Sequence, residues 1–234
     1  MTATARPETP SPGTAALARV GGSAALLAGI LFRRNFGAEV ALFSAIPQPD
    51  AVADWFALLQ SHRLLALVYL NLVDVINYLL LALVLVALYT VLRQTAPASM
   101  TVALTLGLLG IAIFLATNTA FSMVALSARY AAAATTAERS RLLVAGQMAL
   151  ALNRFGTPGG HPGSGGLLSL VLVATAGLIT AIVMLRSPRL NSVTAIVGIA
   201  AATLDLAYCG LYVLLPAADP EQLALFFIPA AGLF

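Results

Sequence analysis

The sequence contains no lysine, and charged residues make up only 9% of its 234 positions. Soluble globular domains carry about 25% charged residues, so this chain has too little charge to cover a water-facing surface of its size. Hydrophobic residues account for 60% of the chain, and the mean hydropathy is +0.96. This composition excludes an ordinary soluble enzyme and a disordered chain, and it predicts a protein whose solvent is the lipid bilayer.

Cysteine and histidine are also scarce, with the single Cys209 and the two histidines His62 and His161. One cysteine cannot form a disulfide within the chain, and we expect Cys209 to be a small packing residue of an apolar helix. The two histidines lie outside the apolar runs and offer neither a zinc site nor axial haem ligands, so we predict no metal and no other cofactor. The twelve basic residues are all arginine and form no dense cluster, which excludes nucleic acid and favours membrane lipids as partners.

Long apolar runs predict an all-α polytopic transmembrane bundle of about six spans, the last incomplete. The bundle would form a single domain at residues 15–234, after a disordered tail at residues 1–14. The last run is too short to cross a bilayer, which leads us to expect a chain truncated at Phe234. The expected spans are residues 16–34, 64–92, 100–126, 167–186, 193–215 and 222–234.

Two further helices are expected outside the bilayer, at about residues 51–61 and 136–153. In the first, Trp55 and Phe56 would lie at the level of the lipid headgroups, where aromatic side chains are enriched. The second begins at Thr135-Thr136-Ala137-Glu138, which has the capping-box pattern of a helix start.

The membrane orientation is predicted from the short basic links. Residues 93–99 and 186–192 connect neighbouring spans, and both contain arginine. Short loops rich in arginine stay in the cytoplasm. We therefore expect a multi-pass protein of the cell membrane with a cytoplasmic N-terminus and both extramembrane helices on the outer side.

A few polar residues inside the predicted spans are candidates for function. A charge at the centre of a membrane helix costs roughly 2.5–3.5 kcal/mol on insertion scales, so an acid in that position indicates either a site or a hydrogen bond between helices. Asn71, Asp74 and Tyr78 are spaced to share one helical face, and Asn118 is expected at the depth of Asn71. The predicted binding layer, including a histidine from the loop above it, consists of Asn71, Asp74, Tyr78, Asn118, His161 and Asp205.

Three functions remain open at this point. The first is an integral membrane protein that binds or transports a small molecule through the polar layer, with the glycine-rich segment 156–166 as a lid. The second is a membrane-embedded enzyme acting on a lipid-like substrate, with Asp74 as acid or base and His161 assisting, which requires the two groups to lie within hydrogen-bond reach. The third is a structural or accessory subunit whose polar groups only lock helices together. The sequence assigns no catalytic residue and no oligomeric state.

Three segments of the chain carry a family resemblance: RVGGSAALLAGILF at 19–32, the stretch Tyr130–Ser187 that opens YAAAATTAERSRLLVAGQMALALNRF, and TLDLAY at 203–208. They resemble an uncharacterised bacterial family of multi-span integral membrane proteins that is catalogued as a domain of unknown function. The resemblance covers most of the chain from about residue 15. It implies a helical inner-membrane protein whose last helix continues past Phe234, and it brings no activity, cofactor or catalytic residue.

Overall fold

The computed structural model describes residues 13, 16–17, 19–31, 49–152, 163–188 and 190–214. All regular structure within these ranges is α-helical, which confirms the all-α class. The helices are α1 (Arg19–Leu31), α2 (Val52–Ser61), α3 (Arg63–Tyr69), α4 (Leu72–Leu92), α5 (Pro97–Thr117), α6 (Ala120–Ala132), α7 (Thr136–Leu152), α8 (Ser164–Leu185) and α9 (Ser192–Leu214).

Four helical segments are long and apolar enough to cross a bilayer: α4, α5 with the following α6, α8 and α9. The shortest of these helices, α4 and α5, have 21 residues each, and α9 has 23. At 1.5 Å of rise per residue these lengths suit a hydrocarbon core of about 30 Å. The sequence predicted about six spans; of the other two, the described part of α1 is apolar but shorter than a span requires, and residues 222–234 lie outside the described ranges.

Two helices that the sequence predicted as continuous are divided in the structure. The expected span 64–92 breaks at Asn71, whose φ of 61° is left-handed and cannot continue a right-handed helix. The expected span 100–126 breaks at Asn118, whose backbone is extended with ψ of 123°. Asparagine tolerates such conformations, and neither break contains the proline or glycine that usually signals the end of a helix.

The shorter helices α2, α3, α6 and α7 share one hydrophobic core and are called the cap below. Trp55 and Phe56 are only 4% and 0% exposed there, so this aromatic pair packs inside the cap and not on its surface. The Ser127 hydroxyl donates to the Phe56 carbonyl at 3.0 Å and ties α6 to α2. The other buried residues of this core are Leu59, Ala66, Leu67, Tyr69, Leu70, Ala120, Met123 and Ala149.

The helices α5 and α8 pack closely at Gly110. A Cβ at this position would lie 2.9 Å from the Ser169 carbonyl oxygen and 3.0 Å from Leu172 Cβ, so only glycine fits without a shift. The Ser169 hydroxyl donates to the Gly110 carbonyl at 2.8 Å. The absent side chain and the hydrogen bond together let the two backbones approach, as small residues do in membrane bundles.

The helix α1 packs on α4 near the end of α4 that lies away from the cap. Gly21 lies against Ala87 so closely that there is no space for a Cβ between them. Near this end of the bundle, a second apolar core consists of Leu92, Met100, Val183, Met184 and Ala195.

We expect Gly110→Ala to lower the free energy of unfolding by about 1–3 kcal/mol, because the added methyl overpacks the α5–α8 contact. The matched control is Gly210→Ala in α9, where an added Cβ meets nothing within 4 Å. The measurement is chemical or thermal unfolding of the full chain in detergent, followed by circular dichroism. Equal losses in the two variants would show that the α5–α8 approach is not under steric constraint.

Candidate functional site

Asp74 lies in the first turn of α4, because the break at Asn71 makes the helix begin at Leu72. Its Cα is only about 3 Å along the helix axis from that start. The expectation that Asp74 lies well inside a continuous span is therefore wrong. An acid in the first turn is stabilised by the helix dipole, and the cost of placing it there is lower than at the centre of a bilayer.

Asp205 keeps the deeper position that the sequence predicted. It precedes Leu214, the last residue of α9, by about 14 Å along the helix axis. The side chain is only 7% exposed. Among the residues of α4, α5, α8 and α9, Asp205 and Asp74 are the only aspartate, glutamate, lysine, arginine or histidine residues, so no basic side chain is present to pair with them.

Tyr78 connects three of the membrane helices. It follows Asp74 by one turn of α4, and its hydroxyl lies beside the Ser169 hydroxyl of α8. The Ser169 hydroxyl donates to the Gly110 carbonyl of α5. The Tyr78 ring stacks on Phe114 of α5, with centroids 3.9 Å apart and planes inclined by 10°.

Two acids and a thiol interact electrostatically with this tyrosine. Asp74, Asp205 and Cys209 all interact electrostatically with the Tyr78 hydroxyl. We call Asp74, Tyr78, Ser169, Asp205 and Cys209 the Tyr78 cluster. It joins α4, α8 and α9, and it brings together three of the residues that the sequence predicted for the binding layer.

Asn77 adds a polar group beside the cluster. Its side-chain amide lies next to the Asp74 carboxyl. Both the amide nitrogen and the amide oxygen are buried, yet neither meets a partner with good hydrogen-bond geometry among the described residues. Buried polar atoms are almost always paired in proteins, so this amide offers a donor and an acceptor for which the described chain supplies no match.

Asn118 lies at the junction of the two helix breaks. Its amide nitrogen donates to the Leu70 carbonyl at 3.4 Å, one residue before Asn71, and its amide oxygen accepts from the Ala120 backbone N–H at 3.1 Å. Within the described ranges Asn118 makes no hydrogen bond to Asp74. It therefore contacts the break that starts α4, and it does not contact the Tyr78 cluster.

The remaining predicted site residue, His161, lies outside the described residues, as does most of the glycine-rich segment around it. Within the described part of the chain, no group of three or more His, Cys, Asp or Glu side chains is arranged to hold a metal ion.

Sequence reasoning missed Ser169 and assigned Cys209 only to packing. Ser169 is one of two serines in the apolar helix α8, and it is fully buried. Its importance depends on Gly110, which lies 59 residues earlier in the chain, and no local pattern reveals that pairing. Asn77 does carry a local signal, because it lies one turn from Asp74 on the same helix.

The apolar spans and the all-helical fold define the class of this molecule as an integral membrane protein. Residues 22–234 match the family described as Domain of unknown function (DUF4386), and the chain belongs to this family. The match confirms the resemblance to a family without assigned activity. Comparisons with curated proteins and with solved structures found no match.

We expect Asn118→Ala to lower the free energy of unfolding by about 1–2 kcal/mol, because it leaves the Leu70 carbonyl and the Ala120 N–H without their contacts. Asn191 provides the matched control, since its amide oxygen accepts only from the Val193 N–H two residues later, at 2.9 Å. Chemical unfolding of both alanine variants in detergent measures the difference. A loss for Asn118→Ala no larger than that for Asn191→Ala would mean that the tie to Leu70 contributes nothing.

Proposed function

We propose that the protein binds a small organic cation within the bilayer at the Tyr78 cluster. The observation that carries this proposal is that Asp74 and Asp205 both interact electrostatically with Tyr78, while α4, α5, α8 and α9 contain no basic side chain. Two carboxyls that face the same group in a medium of low dielectric cannot both ionise at low cost. A bound cation supplies the missing positive charge.

Aromatic rings beside the acids support a cationic ligand over a neutral one. Tyr208 and Tyr212 stack on each other one and two turns after Asp205, with centroids 6.5 Å apart. The Tyr78 and Phe114 rings form a second stacked pair. The faces of such rings attract cations, most strongly where water is excluded.

The Asn77 amide supports a ligand that also forms hydrogen bonds. Its buried oxygen and nitrogen have no well-formed hydrogen bond among the described residues. A cation with N–H groups would donate to the amide oxygen and to the carboxyl of Asp74. Transport of the same molecule is a further part of this proposal, because the two acids lie at different depths along their helices.

The test is saturable binding of ethidium, an aromatic cation, to the full chain in detergent at neutral pH, followed by fluorescence anisotropy. We expect the wild type to bind and the Asp74→Asn, Asp205→Asn double variant to bind at least about tenfold more weakly, since each lost charge pair removes on the order of 1 kcal/mol. The control is Asp54→Asn, which changes an exposed acid in the first turn of α2.

The result that would overturn the proposal is an absence of saturable ethidium binding, or equal affinities in the wild type and the double variant. Circular dichroism spectra of the variants check that the helices remain folded. Asparagine keeps the size of aspartate, so a loss of affinity with an unchanged spectrum reports on charge.

A structural or accessory subunit is the second candidate, and one observation favours it. The stacked Tyr78–Phe114 rings and the fully buried Ser169 lock α4, α5 and α8 against one another. If this is their whole role, Tyr78→Phe will lower the free energy of unfolding while the chain shows no ethidium binding. No contact among the described residues favours the enzyme hypothesis, since His161 lies outside them.

We also propose that the end of the bundle opposite the cap faces the cytoplasm. Arg93 and Arg186 lie in the short links at this end, and Arg19 begins α1 close to it. Arginines in short loops favour the cytoplasmic side.

A membrane-impermeant maleimide applied to intact cells is expected to label Ser140→Cys in the cap and not Gln94→Cys. The wild type is the control, because its one cysteine, Cys209, is buried. Labelling of Gln94→Cys alone would reverse the orientation.

A further inference from the structure

A groove lies between α6 and α7 near the turn that joins them. Its volume is about 570 Å³, within the range of small-molecule sites in proteins. We call it the α6–α7 groove. The lining residues used below are Leu126, Arg129, Glu138, Arg141 and Leu142.

Two guanidinium groups line this groove without a partner. Arg129 and Arg141 are both exposed, and neither forms an ion pair with any residue of the described ranges. The neighbouring Arg139 does form a hydrogen bond within the chain: its Nε donates to the Ala133 carbonyl at 3.3 Å, in the turn between α6 and α7. Glu138 is the one acid in the lining, so the groove carries a net positive charge.

One wall of the groove is apolar. Leu142 is only 5% exposed, and Leu126, which lines the same groove, is half-buried. A ligand that fills the volume would therefore contact hydrocarbon on one side and guanidinium groups on the other. This combination suits an anion that also has an apolar part.

We propose that the α6–α7 groove binds an organic anion of the phosphate-ester type. Arg129 and Arg141 would hold the phosphate, because the planar guanidinium fork matches its oxygens in paired hydrogen bonds. Leu126 and Leu142 would contact the ester group. The same chemistry belongs to a soluble phosphate ester and to the headgroup of an anionic lipid. The site is separate from the Tyr78 cluster and has the opposite charge.

The test titrates phenyl phosphate and inorganic phosphate into the full chain in a neutral detergent at low salt, by calorimetry. We expect phenyl phosphate to bind more tightly than inorganic phosphate because of the apolar wall. Arg129→Gln and Arg141→Gln should each weaken binding by about tenfold, the usual effect of losing one charged hydrogen-bonding partner. Glu138→Gln should tighten it, since a competing negative charge is removed.

Arg63→Gln is the matched control, because Arg63 is also exposed on the cap but does not line the groove. Equal weakening by Arg63→Gln and Arg129→Gln would overturn the proposal, as would an absence of phenyl phosphate binding to the wild type.

Nanodiscs separate the two sources of the ligand. If phosphatidylglycerol added to phosphatidylcholine discs weakens the apparent binding of phenyl phosphate, and Arg129→Gln removes that competition, the groove takes a lipid headgroup. Unchanged binding in both lipid compositions assigns it to a soluble ester. Both results support the site, and the calorimetric comparison with Arg63→Gln decides whether it exists.

Discussion

The close approach of α5 and α8 at Gly110 is the contact on which the candidate site depends. Because Gly110 has no Cβ, the Ser169 hydroxyl reaches the Gly110 carbonyl and donates its hydrogen bond there. The Tyr78 hydroxyl lies beside this serine and interacts electrostatically with both membrane acids. One missing side chain thus fixes the position of the serine next to Tyr78.

The break at Asn71 lowers the free-energy cost of placing Asp74 in the membrane region. By ending α3 and restarting the chain at Leu72, the break at Asn71 puts Asp74 in the first turn of a helix, whereas Asp205 remains deep in α9. Asn118 contacts the first break from the second one, so the cap and the spans meet at a polar junction. The structure therefore separates a cap with a basic groove from four long helices, α4, α5, α8 and α9, in which the only charged side chains are Asp74 and Asp205.

Composition and apolar run length were enough to predict an all-helical membrane protein, because those signals are local and strong. The breaks at Asn71 and Asn118 could not be predicted, since neither has a proline or glycine and the Asn118 contact spans 48 residues. For the site, helical spacing predicted that Asp74 and Tyr78 share a face. The role of Ser169 depends on packing between α5 and α8, and the burial of Trp55 depends on a cap core drawn from four helices.

We propose that the Tyr78 cluster binds a ligand and does not serve only to hold the helices together. An experimental structure of the full chain in nanodiscs with ethidium tests it most directly. We expect density for the cation in contact with the carboxyls of Asp74 and Asp205 and with the Tyr78 ring. A structure in which protein atoms fill that position, and both acids hydrogen-bond only to neighbouring helices, would contradict it.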